Sequence, residues 1–177
     1  YVFKTVGDAF CAAFATAGIA LAAALDAQRA LAAEPWDVTG PLRVRMALHT
    51  GATIERDGDY FGPPVNRVAR LLSAGYGGQV LLSQPTYELV RDDLPRDVSI
   101  RDMGEHHLKD LARPEHIFQI VAAGLPSEFP QLKSLDTLPN NLPPQRDTLI
   151  GREKELEAVR QMLLRPDVPL VTLSGPG

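Results

Sequence analysis

Asn66 and Arg70 stand four residues apart, a spacing that brings two side chains to one helical face about one turn apart. A carboxamide and a guanidinium presented together can hold a sugar and stabilise charge on a phosphate. The same pair could equally form a solvated polar face with Arg67 as its neighbour. Asp8 follows Gly7 between two apolar runs. A carboxylate on an exposed turn can bind a hard divalent cation, although an Asp after Gly is also an ordinary turn residue. Lys4, taken alone, is an exposed strand lysine. His49, His106, His107 and His116 show no zinc-protease spacing. The adjacent His106 and His107 would point to opposite faces of a strand, so one metal could not easily take both. All four histidines are read as structural.

These side chains need elements to position them. Val2, Phe3 and Val6 before Gly7-Asp8, with Phe10 and Phe14 after it, predict a hairpin over 1–14. A helix should run from Thr16, as N-cap, to about Ala33, before Pro35. Leu42, Val44, Met46 and Leu48 alternate with Arg43, Arg45 and His49, which predicts a half-buried strand. A polar loop with Asp57-Gly58-Asp59 follows. Gly62-Pro63-Pro64 then opens a second helix, in which Val65, Val68, Ala69 and Leu72 should pack and Gly75 should cap the C-terminus. Short strands are expected at 79–83, 98–103 and 117–121, with a short helix at 85–90. Alternating strands and helices make a mixed sheet domain ending near Ala123.

Composition narrows the field. Net charge is −4, from 18 Lys+Arg and 22 Asp+Glu, so no basic footprint for nucleic acid exists. Hydrophobic residues make up 45% of the 177, which excludes wholesale disorder. One cysteine, Cys11, leaves neither a disulfide framework nor a Cys-based zinc site, and a cytoplasmic setting is expected. The stretch 9–25 carries no charge over seventeen residues, but it is short and rich in Ala, so no membrane span is expected. No charged-then-apolar leader opens the chain.

Between 126 and 144 there are five prolines and no periodicity, which predicts an extended linker. Ile150-Gly151-Arg152-Glu153 then leads into a helix with Leu156, Val159 and Leu163. An apolar strand at 170–173 ends in Ser174-Gly175-Pro176-Gly177, and a strand entering a Gly-rich turn is how a phosphate-binding loop begins. The expected division is a first domain at 1–123, a linker at 124–148 and the start of a second domain at 149–177. Because the chain opens without Met and stops within this motif, an excerpt of a longer protein is expected.

Four segments occur in one order: Lys4-Thr5-Val6-Gly7-Asp8, Leu48-His49-Thr50-Gly51, Asp59-Tyr60-Phe61-Gly62-Pro63-Pro64-Val65-Asn66-Arg67-Val68-Ala69-Arg70, and Asp102-Met103-Gly104-Glu105-His106-His107-Leu108-Lys109. Together they resemble the catalytic domain of class III adenylate/guanylate cyclases over about 1–121. The resemblance implies an α+β, ferredoxin-like fold with a mostly antiparallel sheet. It matches Asp8 to the second of two metal-binding aspartates for Mg2+ or Mn2+, and Lys4 with Asp59 to the pair that reads adenine. Asn66 matches the ribose-orienting asparagine, Arg70 the arginine at the α-phosphate, and Lys109 a triphosphate-binding lysine. The first metal aspartate has no match, so the chain alone is expected to be inactive.

Chemistry agrees with the base assignment. Adenine presents an acceptor at N1 and a donor at N6, which a lysine and an aspartate complement. Guanine reverses that order, so ATP is expected over GTP. The resemblance further implies a homodimer with shared sites. The C-terminal segment is similar to the entry of a signalling P-loop NTPase, with Gly175 as the start of its phosphate loop. A rival expectation is a non-catalytic cyclase-like module that binds nucleotide or dimerises and regulates that NTPase.

Overall fold

Two hairpins and one four-stranded sheet organise the first part of the chain. The computed structural model describes residues 1–37, 40–137, 153–167 and 171–172 of the sequence. Strands β1 (Val2–Val6) and β2 (Ala9–Ala12) pair antiparallel, with Val6 opposite Ala9. Gly7 takes φ 60° at the first turn position, the glycine-first pattern of a tight hairpin turn. The expected hairpin forms, and Asp8 sits on its tip.

Helix α1 (Ala17–Ala33) begins at Thr16, whose hydroxyl accepts from the Ile19 N–H at 3.2 Å. Its buried residues, Leu21, Ala24, Leu25 and Gln28, mark one face. Among the described residues no helix is long and apolar enough to cross a membrane. The strand expected from Leu42 is regular only as β3 (Met46–Leu48).

What was expected as a polar loop is a second hairpin, β4 (Ile54–Arg56) and β5 (Asp59–Phe61). Asp57 at φ 54° and Gly58 at φ 76° are both left-handed. An Asp-Gly pair meets that demand of a two-residue turn, because Asp tolerates it and Gly has no Cβ to clash.

Helix α2 (Pro63–Ala74) follows Gly62, whose φ of 117° is closed to most side chains. Proline at the first helical positions loses nothing, since those N–H groups have no helical partner. Gly75 stands at the C-cap but is extended, φ −89° and ψ 178°, not left-handed. The buried residues of α2 are Leu71 and Ala74, while Val65, Val68 and Leu72 are only half-buried.

The main sheet has the order β3-β6-β8-β7, from β6 (Val80–Ser83), β7 (Val98–His106) and β8 (Glu115–Ala122). β3 and β6 are parallel, while β6–β8 and β7–β8 are antiparallel. Helix α2 lies on the crossover between the parallel pair, as such a connection requires. Every residue of β6 is buried, because both sheet faces are covered. On one face Val80, Leu82, Phe118 and Ile120 pack with Leu21 and Leu25 of α1 and Val90 of α3 (Gln84–Val90). On the other, Leu81 and Ile117 pack with Leu71, Ala74, Leu108 and Leu132. Burying one such leucine contributes about 1.5–3 kcal/mol.

Leu132 lies beyond the expected domain end at Ala123. The compact unit runs from Tyr1 to Pro139, and the proline-rich segment as far as it is described, to Thr137, is strapped to it. Lys133 N–H donates to Ala74 O at 3.0 Å and Leu135 N–H to His107 O at 2.8 Å. The Tyr76 hydroxyl donates to Gln131 O at 2.9 Å. One buried leucine and these hydrogen bonds are enough to hold a segment that lacks periodicity. The part of the expected linker at 138–148 lies outside the described residues.

A second unit spans Asn140–Gly177. Its described helix is α4 (Glu153–Leu163). Val171 and Thr172 show no regular secondary structure. Gly151 and Arg152, with Gly175 and the rest of 173–177, lie outside the described residues.

Candidate functional site

Lys4 and Asp59 come from different hairpins and form an ion pair. β1 offers Lys4 beside β5 because the aromatic residues around it interlock. Phe3 packs edge-on against Tyr60 at 4.9 Å between ring centres, and Lys4 Nζ lies 5.6 Å from the centre of the Phe61 ring. The Tyr60 N–H donates to Asp59 Oδ1 at 2.8 Å, which leaves Oδ2 to Lys4. The lysine hydrogen bond is the main reason the Asp59 carboxyl sits below the usual carboxylate range. Lys4 is 44% exposed and Asp59 24%. A donor and an acceptor are thus held side by side at the surface, open to a ligand.

Asn66 and Arg70 lie on α2 as the spacing requires, Asn66 exposed and Arg70 half-buried. Arg70 Nη2 is 2.7 Å from Asp110 Oδ2. Asp110 and Lys109 share the turn after β7, where the Leu111 N–H donates to Leu108 O at 3.2 Å. The two ends of this turn are anchored, Leu108 in the core and Leu111 against it. The structure therefore brings Arg70 to the Lys109 turn and Lys4 to Asp59, with Asn66 on the same helix as Arg70.

Asp8 is exposed at the hairpin tip and touches neither group. It stands two residues past the end of β1, on the turn between Val6 and Ala9. It is a free hard-oxygen donor, suited to be one ligand of a divalent cation. Among the described residues no group of three or more His, Cys, Asp or Glu could hold a metal. Asp8 alone fits one coordination position, not a complete ion site.

Each of the four histidines has a ring-nitrogen partner within the fold. His106 Nε2 lies 2.9 Å from Met103 O, and His107 Nδ1 2.8 Å from Asp136 Oδ1. His116 Nε2 lies 2.6 Å from Asp102 Oδ1. His49 Nδ1 is 2.7 Å from Ser83 Oγ, and burial, with help from the Arg67 charge, lowers its pKa to about 4. Arg67 Nε lies 2.8 Å from Glu115 Oε1, off the hydrogen-bond direction.

Asp110 and Glu115 were not singled out by the sequence. Neither has a motif of its own, and each acquires meaning only through an arginine 40 or 48 residues earlier. The one local signal was the position of Asp110 beside Lys109.

The profile of the family described as adenylate and guanylate cyclase catalytic domain matches residues 1–122. An uncharacterized protein of Mycobacterium tuberculosis is 42% identical over 151 residues, covering 85% of this chain and 50% of that protein. An adenylate cyclase of Mycosarcoma maydis is 27% identical over 207 residues, with 77% of this chain and 8% of its own length covered. The chain thus spans about half or less of the curated relatives it matches. Among solved structures, an adenylate/guanylate cyclase/hydrolase from Silicibacter pomeroyi aligns with TM-score 0.59 at 28% identity, covering 69% of this chain and 72% of that one. An adenylate cyclase structure from Trypanosoma brucei shares the fold, with TM-score 0.63 at 24% identity over 75% of this chain and 74% of that one.

Proposed function

The chain belongs to the adenylate and guanylate cyclase catalytic domain family, and from that premise we propose that it converts ATP to cyclic AMP and pyrophosphate. The observation that carries the choice of ATP is the Lys4–Asp59 pair. Lys4 has N–H donors to spare beyond the one given to Asp59, and one can donate to adenine N1. Asp59 Oδ2 can accept from the adenine 6-amino group. Guanine would set its O6 against Asp59 and its N1–H against Lys4, and both contacts would be lost.

Cyclisation is an in-line attack of the ribose 3′-oxygen on the α-phosphorus. The bond to the bridging oxygen of the β-phosphate breaks, pyrophosphate leaves with that electron pair, and the 3′-hydroxyl proton passes to water. Asn66 orients the ribose so that the 3′-oxygen faces the phosphorus, which converts binding into alignment. Arg70 stabilises the charge that builds on the α-phosphate as the bond forms. Lys109 holds the outer phosphates as a point charge. When bound, a divalent cation such as Mg2+ or Mn2+ supplies activation of the attacking oxygen and neutralisation of the leaving phosphates. Asp8 would be one of its ligands.

We propose further that the site is shared between two copies of the chain. A homodimer in which Asp8 of one chain faces the nucleotide held by Lys4, Asp59, Asn66 and Arg70 of the other would have two sites. The segment from Ile150 onward is proposed as the start of an attached P-loop NTPase, with Gly175 opening its phosphate loop.

Incubating the full natural protein with ATP and Mn2+ and separating the products tests this reading. Cyclic AMP with equimolar pyrophosphate is expected. Hydrolysis to ADP, or no product from correctly folded protein, would contradict it.

A further inference from the structure

The geometry points to Asp110 as a positioning residue that holds the Arg70 guanidinium for the reaction; this deepens the cyclase reading and rests on it. The first observation is the contact itself, Arg70 Nη2 to Asp110 Oδ2 at 2.7 Å. Both side chains are substantially exposed, 40% and 55%, and exposed ion pairs contribute little to stability. Fold stability is therefore a poor reason for the pair.

The second observation is the backbone. Asp110 adopts φ 63°, one of two non-glycine residues with positive φ among the described ones. Glycine would fill this position with less strain, since a Cβ is disfavoured there. Aspartate tolerates this conformation, as at Asp57, and here the residue that adopts it is the one whose side chain meets Arg70.

The third observation is rigidity. Leu108 is buried, Leu111 packs against the same cluster, and a hydrogen bond of 3.2 Å closes the turn between them. That cluster contains Leu71, the residue after Arg70. The arginine backbone and its counter-ion are thus fixed to one piece of core, so the carboxylate is a stationary anchor.

A guanidinium has five N–H donors on a planar fork. Asp110 occupies the Nη2 end and leaves the others for the α-phosphate. A free arginine on an exposed helix face would sample many rotamers, and aligning it would be left to the moment of reaction. Holding it beforehand is preorganisation, whose effect falls on the chemical step more than on nucleotide binding.

The test compares Asp110→Asn, Asp110→Gly and Asp110→Glu in the full natural protein, with steady-state kinetics on ATP and side-chain NMR of 15N-labelled arginine. The Arg70 Nε–Hε signal is identified by its loss in Arg70→Lys. The Asn and Gly variants should lower kcat about tenfold, as small misplacements of an aligned group do, with KM within about twofold of the parent. The Glu variant should recover part of the loss. Asp110→Gly relieves the backbone, so an unchanged or higher Tm together with lower kcat separates positioning from misfolding. In the NMR arm, the Arg70 signal should be rigid in the parent and mobile in the Asn variant. Unchanged or raised kcat in the Asn and Gly variants, or a mobile Arg70 in the parent, overturns the inference. Absence of cyclic nucleotide from the parent overturns the cyclase reading instead, and the NMR arm still decides whether Asp110 holds Arg70.

Discussion

Lys4 and Asp59 are 55 residues apart in the chain and paired in the fold. Each hairpin brings one partner, and the Phe3–Tyr60 contact locks the two hairpins together beside them. Lys4→Ala should therefore lower kcat/KM for ATP by about 10- to 100-fold, the usual loss when a ligand hydrogen bond to a charged group is removed. The double change Lys4→Glu with Asp59→Ser reverses the donor and acceptor order, and should raise GTP turnover relative to ATP. A Lys4→Ala protein with parental ATP kinetics would detach Lys4 from the base.

Asp8 stands on the hairpin turn, two residues past the end of the strand that carries Lys4. Asp8→Ala and Arg70→Ala proteins should each be nearly inactive. Mixed and allowed to exchange subunits, they should regain up to about a quarter of the parental activity, because one of the two sites in a mixed dimer is intact. Mixing that gives dimers without activity would contradict a shared site.

His49 gives a pH prediction. Its pKa falls from 6.5 to about 4, through burial first and the Arg67 charge second. Between those values the unfolded chain binds more protons than the folded one. Stability is thus full above pH 6.5 and declines as pH falls toward 4. His49→Gln cannot titrate and should flatten that part of the Tm–pH curve. An equally steep curve in the variant would assign the slope to another group.

The strap after Ala123 should matter for stability. Leu132 is 1% exposed and sits with Leu71, Leu81 and Ile117. Leu132→Ala should cost about 2–4 kcal/mol by denaturant unfolding, as other buried leucine truncations do. A loss under about 0.5 kcal/mol, the level of surface substitutions, would mean the segment is a linker after all.

Much of the site could be read from the chain, and the reason is local. Asn66 and Arg70 share a helix, so spacing alone fixed their relation. Thr16 and Gly7-Asp8 carry capping and turn chemistry that needs no tertiary context. The joining of Lys4 to Asp59 came from resemblance, since no periodicity links two hairpins. The sequence reading missed the Asp57-Gly58 hairpin because its strands have three residues each, too few to show alternation. It placed the buried stripe of α2 at Val65, Val68 and Leu72, whereas Leu71 and Ala74 face the sheet. Apolar residues occur all along that helix, and only the position of Leu81 and Ile117 decides which of them are covered. Leu132 was hidden for a similar reason: five prolines around it signalled a linker, while one well-placed leucine was enough to dock it.

The central claim is that the Lys4–Asp59 pair selects adenine for cyclisation. The ratio of kcat/KM for ATP to that for GTP, measured by cyclic product in the full natural protein, tests it most directly. The account predicts cyclic AMP as the main product, with ATP favoured by about 100-fold or more, as expected when a mismatched base leaves polar groups unpaired. Equal use of both nucleotides, or preference for GTP, would contradict it.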